Sequence, residues 1–480
     1  MLLELTALAL SLSLGGASVA FGVHEISPKS VASPSVAADL AQQPFTQQPF
    51  TQRLIQQRAG DAPGHARQVD IAPVIVPAFA DGGVTKLTPV DLTLIPSLGG
   101  RALLDQFSLL PTSVLERYVN DHPDAVADLL ATPIAATEVE RWWGESSPAV
   151  KQKLISTTPD LVGNLDGIPF GTRNLANRQY LAAAISGLEE RLSSGVGRGM
   201  NVDITNHLHM LTQIDNALKS KAGDPVRTLV SLDTDAPGRA AIVVGDLASA
   251  DYVSYLIPGM FFTIDGQVDD WADTATTLFH DQLGWLDRLG ESAKTVATVA
   301  WIGYQTPHLL NVGSLTLADE GAGYLARTIE GLQALRGDHQ PYVSVMAHSY
   351  GSTAAMIALQ RGDFQIDALA VVGSPGSSAQ TAAALSVRNA NVYVGEAGWD
   401  PVVNSAFYGS DPGAASYGAY RMSVAGGVDA ITNKLLGASY GHNEYFQPGS
   451  ESMRNLALIG IGAGGLVMND SGTTIAAAGR

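Results

Sequence analysis

A chain of 480 residues, against about 100–200 residues per domain, is long enough for two or three structural regions. With 46% apolar and 15% charged residues, 50 Gly and 24 Pro, it is no coiled coil, collagen or wholly disordered polymer, and it suits a turn-rich α/β protein. The absence of cysteine excludes disulfide scaffolds, Cys-ligated zinc, iron–sulfur clusters and thiol nucleophiles, and a net charge of −18 argues against a nucleic-acid partner, whose counterions only lysine and arginine replace.

Leu5 to Val23 are almost all apolar or small, about one bilayer span at ~1.5 Å per residue, and Ser18-Val19-Ala20 has a small-x-small cleavage pattern. No lysine or arginine precedes this run, and Glu4 stands where a positive n-region would be. Residues 1–23 are expected to be a signal peptide or a membrane anchor, the rival being a buried N-terminal helix. The export reading makes the protein secreted or held at the cell envelope through an N-terminal membrane contact. Residues 24–95 read as a tether: Ser33-Pro34-Ser35 leads into the repeat Gln42-Gln43-Pro44-Phe45-Thr46 and Gln47-Gln48-Pro49-Phe50-Thr51. So polar and proline-broken a stretch buries too little surface to offset its ordering entropy.

Residues 96–235 read as a helical region. Leu109, Leu110, Val114, Leu115 and Val119 recur at helical spacing behind the start signal Pro111-Thr112-Ser113. Further helices are predicted over 137–156, 174–194 and 204–221, with turns at Asn164–Pro169 and Gly195–Gly199. The period changes after Pro237-Gly238. Short β-branched runs at 240–244, 252–257, 296–302, 342–346, 368–372 and 391–394 alternate with helical stretches at 271–289, 321–335, 352–360 and 379–385. Such alternation predicts an α/β domain over 236–450, with a mainly parallel sheet covered on both faces and chemistry at the carboxyl ends of its strands. Residues 451–480 form a C-terminal segment.

The most informative run is Tyr342-Val343-Ser344-Val345-Met346-Ala347-His348-Ser349-Tyr350-Gly351-Ser352-Thr353. An apolar strand enters Ala-His-Ser-Tyr-Gly and a small-residue helix leaves it, the pattern of a nucleophile elbow with Ala347 at the first glycine. A turn this tight strains the serine backbone and exposes its hydroxyl, so Ser349 is the candidate nucleophile. A serine hydroxyl needs a base, and in chain order the acid and then the histidine should follow. Asp400, in Trp399-Asp400-Pro401-Val402, is favoured as the acid over its rival Glu396. Of the ten histidines only His442 lies beyond Asp400, which makes it the candidate base. His348 reads as a packing residue of the elbow and His308 as a rim residue. His207 and His209, two apart on a helix, face different sides and make a poor metal pair. For a developing oxyanion, the Tyr350 N–H is one donor and the Met260 N–H, in Ile257-Pro258-Gly259-Met260, the other; an ordinary turn at Met260 is the rival reading.

At these residues the chain resembles the actinobacterial alpha/beta hydrolase family long catalogued as a domain of unknown function. The likeness covers roughly 140–447 and includes Trp142-Trp143, Val162–Pro169 with Arg173, Ala176, Asn177 and Arg178, Val244-Gly245-Asp246, Ile257-Pro258-Gly259 and Trp301-Ile302-Gly303-Tyr304. It continues through the elbow, Gly373-Ser374-Pro375-Gly376, Asp400-Pro401-Val402 and His442. The resemblance implies an alpha/beta hydrolase fold and a serine hydrolase using Ser349, Asp400 and His442; Ala347 departs from the family's glycine. Gly163–Gly167 reads as a helix end and turn rather than a pocket wall. The expected activity is cleavage of an ester or related acyl bond in a small-molecule or lipid-like substrate, with no metal or cofactor. Acyl transfer to an envelope sugar or lipid is one alternative, and a non-catalytic envelope binding protein on a hydrolase scaffold is another.

Overall fold

The computed structural model describes residues 95–478 apart from 133, 196, 309 and 310, together with an antiparallel strand pair, Val74–Ala78 with Lys86–Val90. The expected signal or anchor, 1–23, and most of the expected tether lie outside the described residues. The strand pair falls inside the tether's range, where Val74-Ile75-Val76 and Leu87-Thr88 supply β-forming residues within a polar stretch. No helix among the described residues is long and apolar enough to cross a membrane.

Among the described residues eight α-helices precede the main sheet: α1 (Gly100–Leu109), α2 (Thr112–Asp121), α3 (Ala125–Ala131), α4 (Ala136–Glu145), α5 (Pro148–Thr157), α6 (Pro159–Asn164), α7 (Phe170–Ser193) and α8 (Arg198–Ala217). The helix predicted over 137–156 is two. Pro148 has no N–H to continue a helix, and Ser147 caps the new one by accepting from the Val150 N–H at 3.3 Å. Helices α1 to α6 close over a core of their own around Leu104, Phe107, Leu115, Val139 and Leu154, whereas α7 and α8 send Leu181, Ile204, Leu211 and Ile214 into the core of the sheet.

The sheet has eight strands: β1 (Arg227–Asp233), β2 (Arg239–Gly245), β3 (Tyr252–Ile257), β4 (Val296–Ile302), β5 (Tyr342–His348), β6 (Ala368–Val372), β7 (Val392–Gly395) and β8 (Tyr420–Met422). Their order is β8-β7-β6-β5-β3-β4-β2-β1. Strands β1, β2 and β4 pair antiparallel, and every other pairing is parallel. This is the mainly parallel alpha/beta hydrolase arrangement that the resemblance implies. The sheet begins at Arg227, ahead of the expected boundary at 236, so the stretch read as helical ends in a strand. Its run Thr228-Leu229-Val230-Ser231-Leu232 is too short to display a period. The three residues of β8 hide for the same reason.

Alternation along the strands divides the apolar residues between two faces. Val253, Tyr255, Val343 and Val345 join one core, against α10 (Thr316–Arg336) and α11 (Tyr350–Arg361). Leu256, Ile242, Val244 and Met346 join the other, against α7, α8, α9 (Ile264–Arg288) and α12 (Glu451–Gly460). Helix α12 lies in the expected C-terminal segment, yet all ten of its residues are buried, and Ser450 caps it by accepting from the Met453 N–H at 3.1 Å. The C-terminal segment is therefore part of the sheet's core. The helix predicted over 379–385 is a single 3₁₀ turn, Ala382–Ala384, because the Ser377 hydroxyl takes the Ala379 N–H and Ser386 is drawn to the Leu359 carbonyl. Tertiary contacts there override the helix propensity of alanine.

Candidate active site

Strand β5 delivers Ser349 into a turn with φ 52° and ψ −130°, a positive φ that a side chain rarely adopts. The turn is held on three sides. The Ser349 N–H donates to the Val372 carbonyl at 3.0 Å and the Ser349 carbonyl accepts from the Ser352 hydroxyl at 2.5 Å. At Gly351 an added Cβ would lie 2.2 Å from the Pro258 carbonyl oxygen, so glycine is required where helix α11 leaves. Ala347 sits fully buried in the same core as Val345 and Tyr350, so the strand accommodates its methyl at the first glycine position of the elbow pattern.

The structure brings Ser349, His442 and Asp400 together. The Ser349 Oγ lies 2.7 Å from His442 Nε2, and His442 Nδ1 lies 3.0 Å from each Asp400 oxygen. With a carboxylate accepting at Nδ1, the proton resides there and Nε2 is left to accept from the serine hydroxyl. All three side chains are buried. Burial pushes the Asp400 carboxyl up, but the His442 hydrogen bond and charge, the Tyr445 hydroxyl and the Val402 N–H together hold it below its ordinary value. The rival Glu396 is turned away from the histidine: its buried carboxylate pairs with Arg421 at 3.0 Å and packs on Gly413, and burial pushes it up.

Three contributors escaped the reading of the sequence. Tyr445, fully buried, donates its hydroxyl to Asp400 Oδ2 at 2.7 Å and accepts the Ala397 N–H at 2.9 Å. Gly373 has φ +59°, and a Cβ there would lie 2.9 Å from Asp400 Oδ2 and 3.1 Å from His442 Nδ1. Tyr304 donates to the Pro258 carbonyl at 2.8 Å and so braces the turn that carries Met260. Gly373 and Tyr304 lay inside motifs already noted, and Tyr445 follows His442 by three residues, but spacing alone assigns them no partner. His348 packs, as expected, and does more: its Nε2–H donates to the His442 carbonyl at 2.6 Å, and the two rings lie 4.7 Å apart. Burial, with the neighbouring His442 second, lowers the His348 pKa to about 3, so this ring stays neutral.

Met260 lies beside the elbow. A Cβ at Gly259 would be 2.6 Å from the Ser349 Cβ, and Met260, Ser349 and Tyr350 line one cavity. The Tyr350 N–H opens helix α11, where N–H groups have no partner within the helix. Val312, Pro375, Pro401 to Ser405, Phe407 and Tyr408 complete the walls of this cavity of about 440 Å³. His308 is exposed, and its carbonyl accepts from the N–H of Val312, one of these lining residues, at 2.9 Å. His207 contacts the Thr234 carbonyl while His209 pairs with Asp265. Among the described residues no group of side chains is arranged to hold a metal ion. The Gly163–Gly167 segment is structural: the Asn164 side chain bonds both the N–H and the carbonyl of Leu232 at 2.8 Å, and Asp166 pairs with Arg173 at 2.7 Å.

Residues 233–410 match the model of a family described as Alpha/beta hydrolase. The chain is similar to Uncharacterized protein Rv2079 of Mycobacterium tuberculosis, 26% identical over 382 residues, 70% of this chain and 57% of that protein. It is also similar to Uncharacterized protein Mb0988c of Mycobacterium bovis, 29% identical over 182 residues, 36% of this chain and 66% of that one. This chain thus spans less than two thirds of the length of either relative. Among solved structures, an Esterase/Lipase from an uncultured bacterium covers 58% of this chain and 96% of its own at 11% identity and a TM-score of 0.31.

Proposed function

Residues 233–410 belong to the alpha/beta hydrolases, and from that premise we propose that this protein is a serine hydrolase cleaving carboxylic esters through an acyl-enzyme. The observation that carries the proposal is the unbroken hydrogen-bond chain from Ser349 through His442 to Asp400, with Ser349 on a strained turn that opens into the cavity. Ser349 Oγ attacks the ester carbonyl carbon while His442 Nε2 takes the hydroxyl proton. The negative charge on the carbonyl oxygen is held by the N–H groups of Tyr350 and Met260, such donors being worth about 3 kcal/mol each. Collapse of the tetrahedral intermediate breaks the bond to the alcohol oxygen, which leaves with the proton from His442. Water then repeats the attack on the acyl-enzyme with His442 as base, releasing the carboxylic acid and restoring Ser349. Asp400 holds the Nδ1 proton throughout and stabilises the imidazolium.

An alkyl fluorophosphonate probe tests this reading. Wild type should be labelled at Ser349, as located by peptide mass spectrometry, and the Ser349→Ala variant should not. Folded wild type that takes no label would refute the hydrolase reading; equal labelling of both would move the nucleophile elsewhere.

A further inference from the structure

The walls of the cavity carry more information than the triad. Its lining residues, Met260, Val312, Ser349, Tyr350, Pro375 and those between Pro401 and Tyr408, include no Lys, Arg, His, Asp or Glu. At about 440 Å³ the cavity has room for on the order of ten water-sized groups, far more than an acetyl ester fills. Most of the wall comes from one stretch of chain, residues 401–408. Two left-handed residues, Asn404 at φ 59° and Ala406 at φ 47°, bend this stretch. The Tyr408 hydroxyl ties its far end to the carbonyl of Val312, another lining residue. Its near end reaches the chemistry, because the Val402 N–H donates to Asp400 Oδ1 at 2.8 Å. The segment that shapes the cavity therefore also helps to hold the catalytic acid.

We propose that the cavity takes an uncharged aliphatic acyl group longer than acetyl, and that residues 401–408 are the segment that selects it. This rests on the hydrolase reading and names its substrate class. A carboxylate at the end of the acyl chain would enter a space that offers it no cation, and an unpaired charge is costly to desolvate. Contacts along the chain press on Val403 and Phe407, in the same segment as the Val402 N–H that positions Asp400. Acyl length is thus expressed in kcat as well as in KM.

The test compares three 4-nitrophenyl esters: acetate, hexanoate, and the adipate monoester, which differs from hexanoate by a carboxylate in place of the terminal methyl. Wild type should prefer hexanoate to acetate by about tenfold or more in kcat/KM, part of it in kcat. It should prefer hexanoate to the adipate monoester by on the order of 100-fold. Val403→Arg places a cation in the wall and should narrow or reverse that second preference. Phe407→Ala removes a wall contact from the longer chain and should lower the preference for hexanoate over acetate severalfold, which keeps the proposal open to test if Val403→Arg does not fold. Fluorophosphonate labelling of each variant reports an intact nucleophile. Labelled protein that favours acetate, hydrolyses the two longer esters equally, or keeps its selectivity in both variants overturns the acyl-selection proposal while leaving the hydrolase reading intact. Absence of labelling in wild type overturns both.

Discussion

The proposed mechanism requires the His442 ring to stay at a fixed distance from Ser349, and two groups hold it there. Asp400 grips His442 at Nδ1, while His348 grips the backbone of the same residue through its carbonyl. His348 immediately precedes Ser349, so this bond ties the loop that carries His442 to the strand that leads into Ser349. Replacing it separates the two roles. His348→Phe keeps an aromatic ring but loses the donor and should lower kcat by about tenfold with little change in KM, a misplacement effect. His348→Gln, whose amide nitrogen reaches a similar position, should restore much of it. Because the His348 pKa lies at about 3, neither change should remove an ionisation from the kcat/KM profile between about pH 5 and pH 9. A lost limb in that range would make His348 the base instead. Ser349, Asp400 and His442 were legible in the sequence because an elbow and a fixed chain order constrain them. Tyr445 and the bond from His348 were not, since a hydrogen bond across a folded loop leaves no periodic trace.

Elements read most clearly where burial is uniform. The strands at 252–257, 296–302 and 368–372 fall where their short apolar runs predict. Errors fall where a local signal is short or outvoted: β1 and β8, the break at Ser147-Pro148, and the alanine-rich stretch 379–385 that forms only a 3₁₀ turn. The loop after β6 shows how an element end shapes the site. Gly373 closes that strand with φ +59°, and the absent side chain leaves space that Asp400, His442 and Tyr445 occupy. Gly373→Ala pairs a backbone penalty of about 1–2 kcal/mol with a methyl 2.9 Å from Asp400 Oδ2. The expected result is a fall in kcat of roughly 100-fold with a melting temperature lowered by a few degrees, read by steady-state kinetics and calorimetry on one preparation. Unchanged kcat would show that the triad tolerates a shifted acid.

At the scale of the molecule, the helical layer finishes the sheet, and charge sets the conditions under which both persist. Strand β1 is the sheet edge, and its outward backbone groups are met by side chains. Asn174 accepts the Leu229 N–H, Asn177 donates to the Leu229 carbonyl, Arg178 to Arg227 and Asn164 to Leu232. An open edge invites pairing with other chains, so these polar motif residues protect the strand. Asn177→Leu strips the buried Leu229 carbonyl of its donor, whereas the Gly163 carbonyl keeps the Arg173 Nε–H at 3.1 Å; at about 1–3 kcal/mol for the group left unsatisfied, the change should lower the melting temperature by a few degrees and promote aggregation on heating. The acidity acts on the whole fold. Asp160, Asp235, Asp281 and Glu396 have folded pKa values raised chiefly by burial, so each costs stability as pH rises from its unfolded value through its folded one. Asp429 is lowered despite burial, because the Thr432 N–H and Arg454 hold its charge. Asp251, with its Thr295 N–H and Lys294, is lowered too. What these two contribute is present above about pH 4 and is lost as pH falls through their folded values. With 46 acidic against 28 basic residues, general self-repulsion adds to the first group and also grows with pH. The melting temperature should therefore peak in mildly acidic buffer, near about pH 5, fall gently toward neutrality and fall steeply below about pH 4. Calorimetric scans at constant ionic strength check the sign: a maximum at or above neutrality would mean that the buried, raised carboxyls are not what limits stability, whereas added salt should flatten only the neutral side of the curve, where the repulsion between exposed carboxylates is screened.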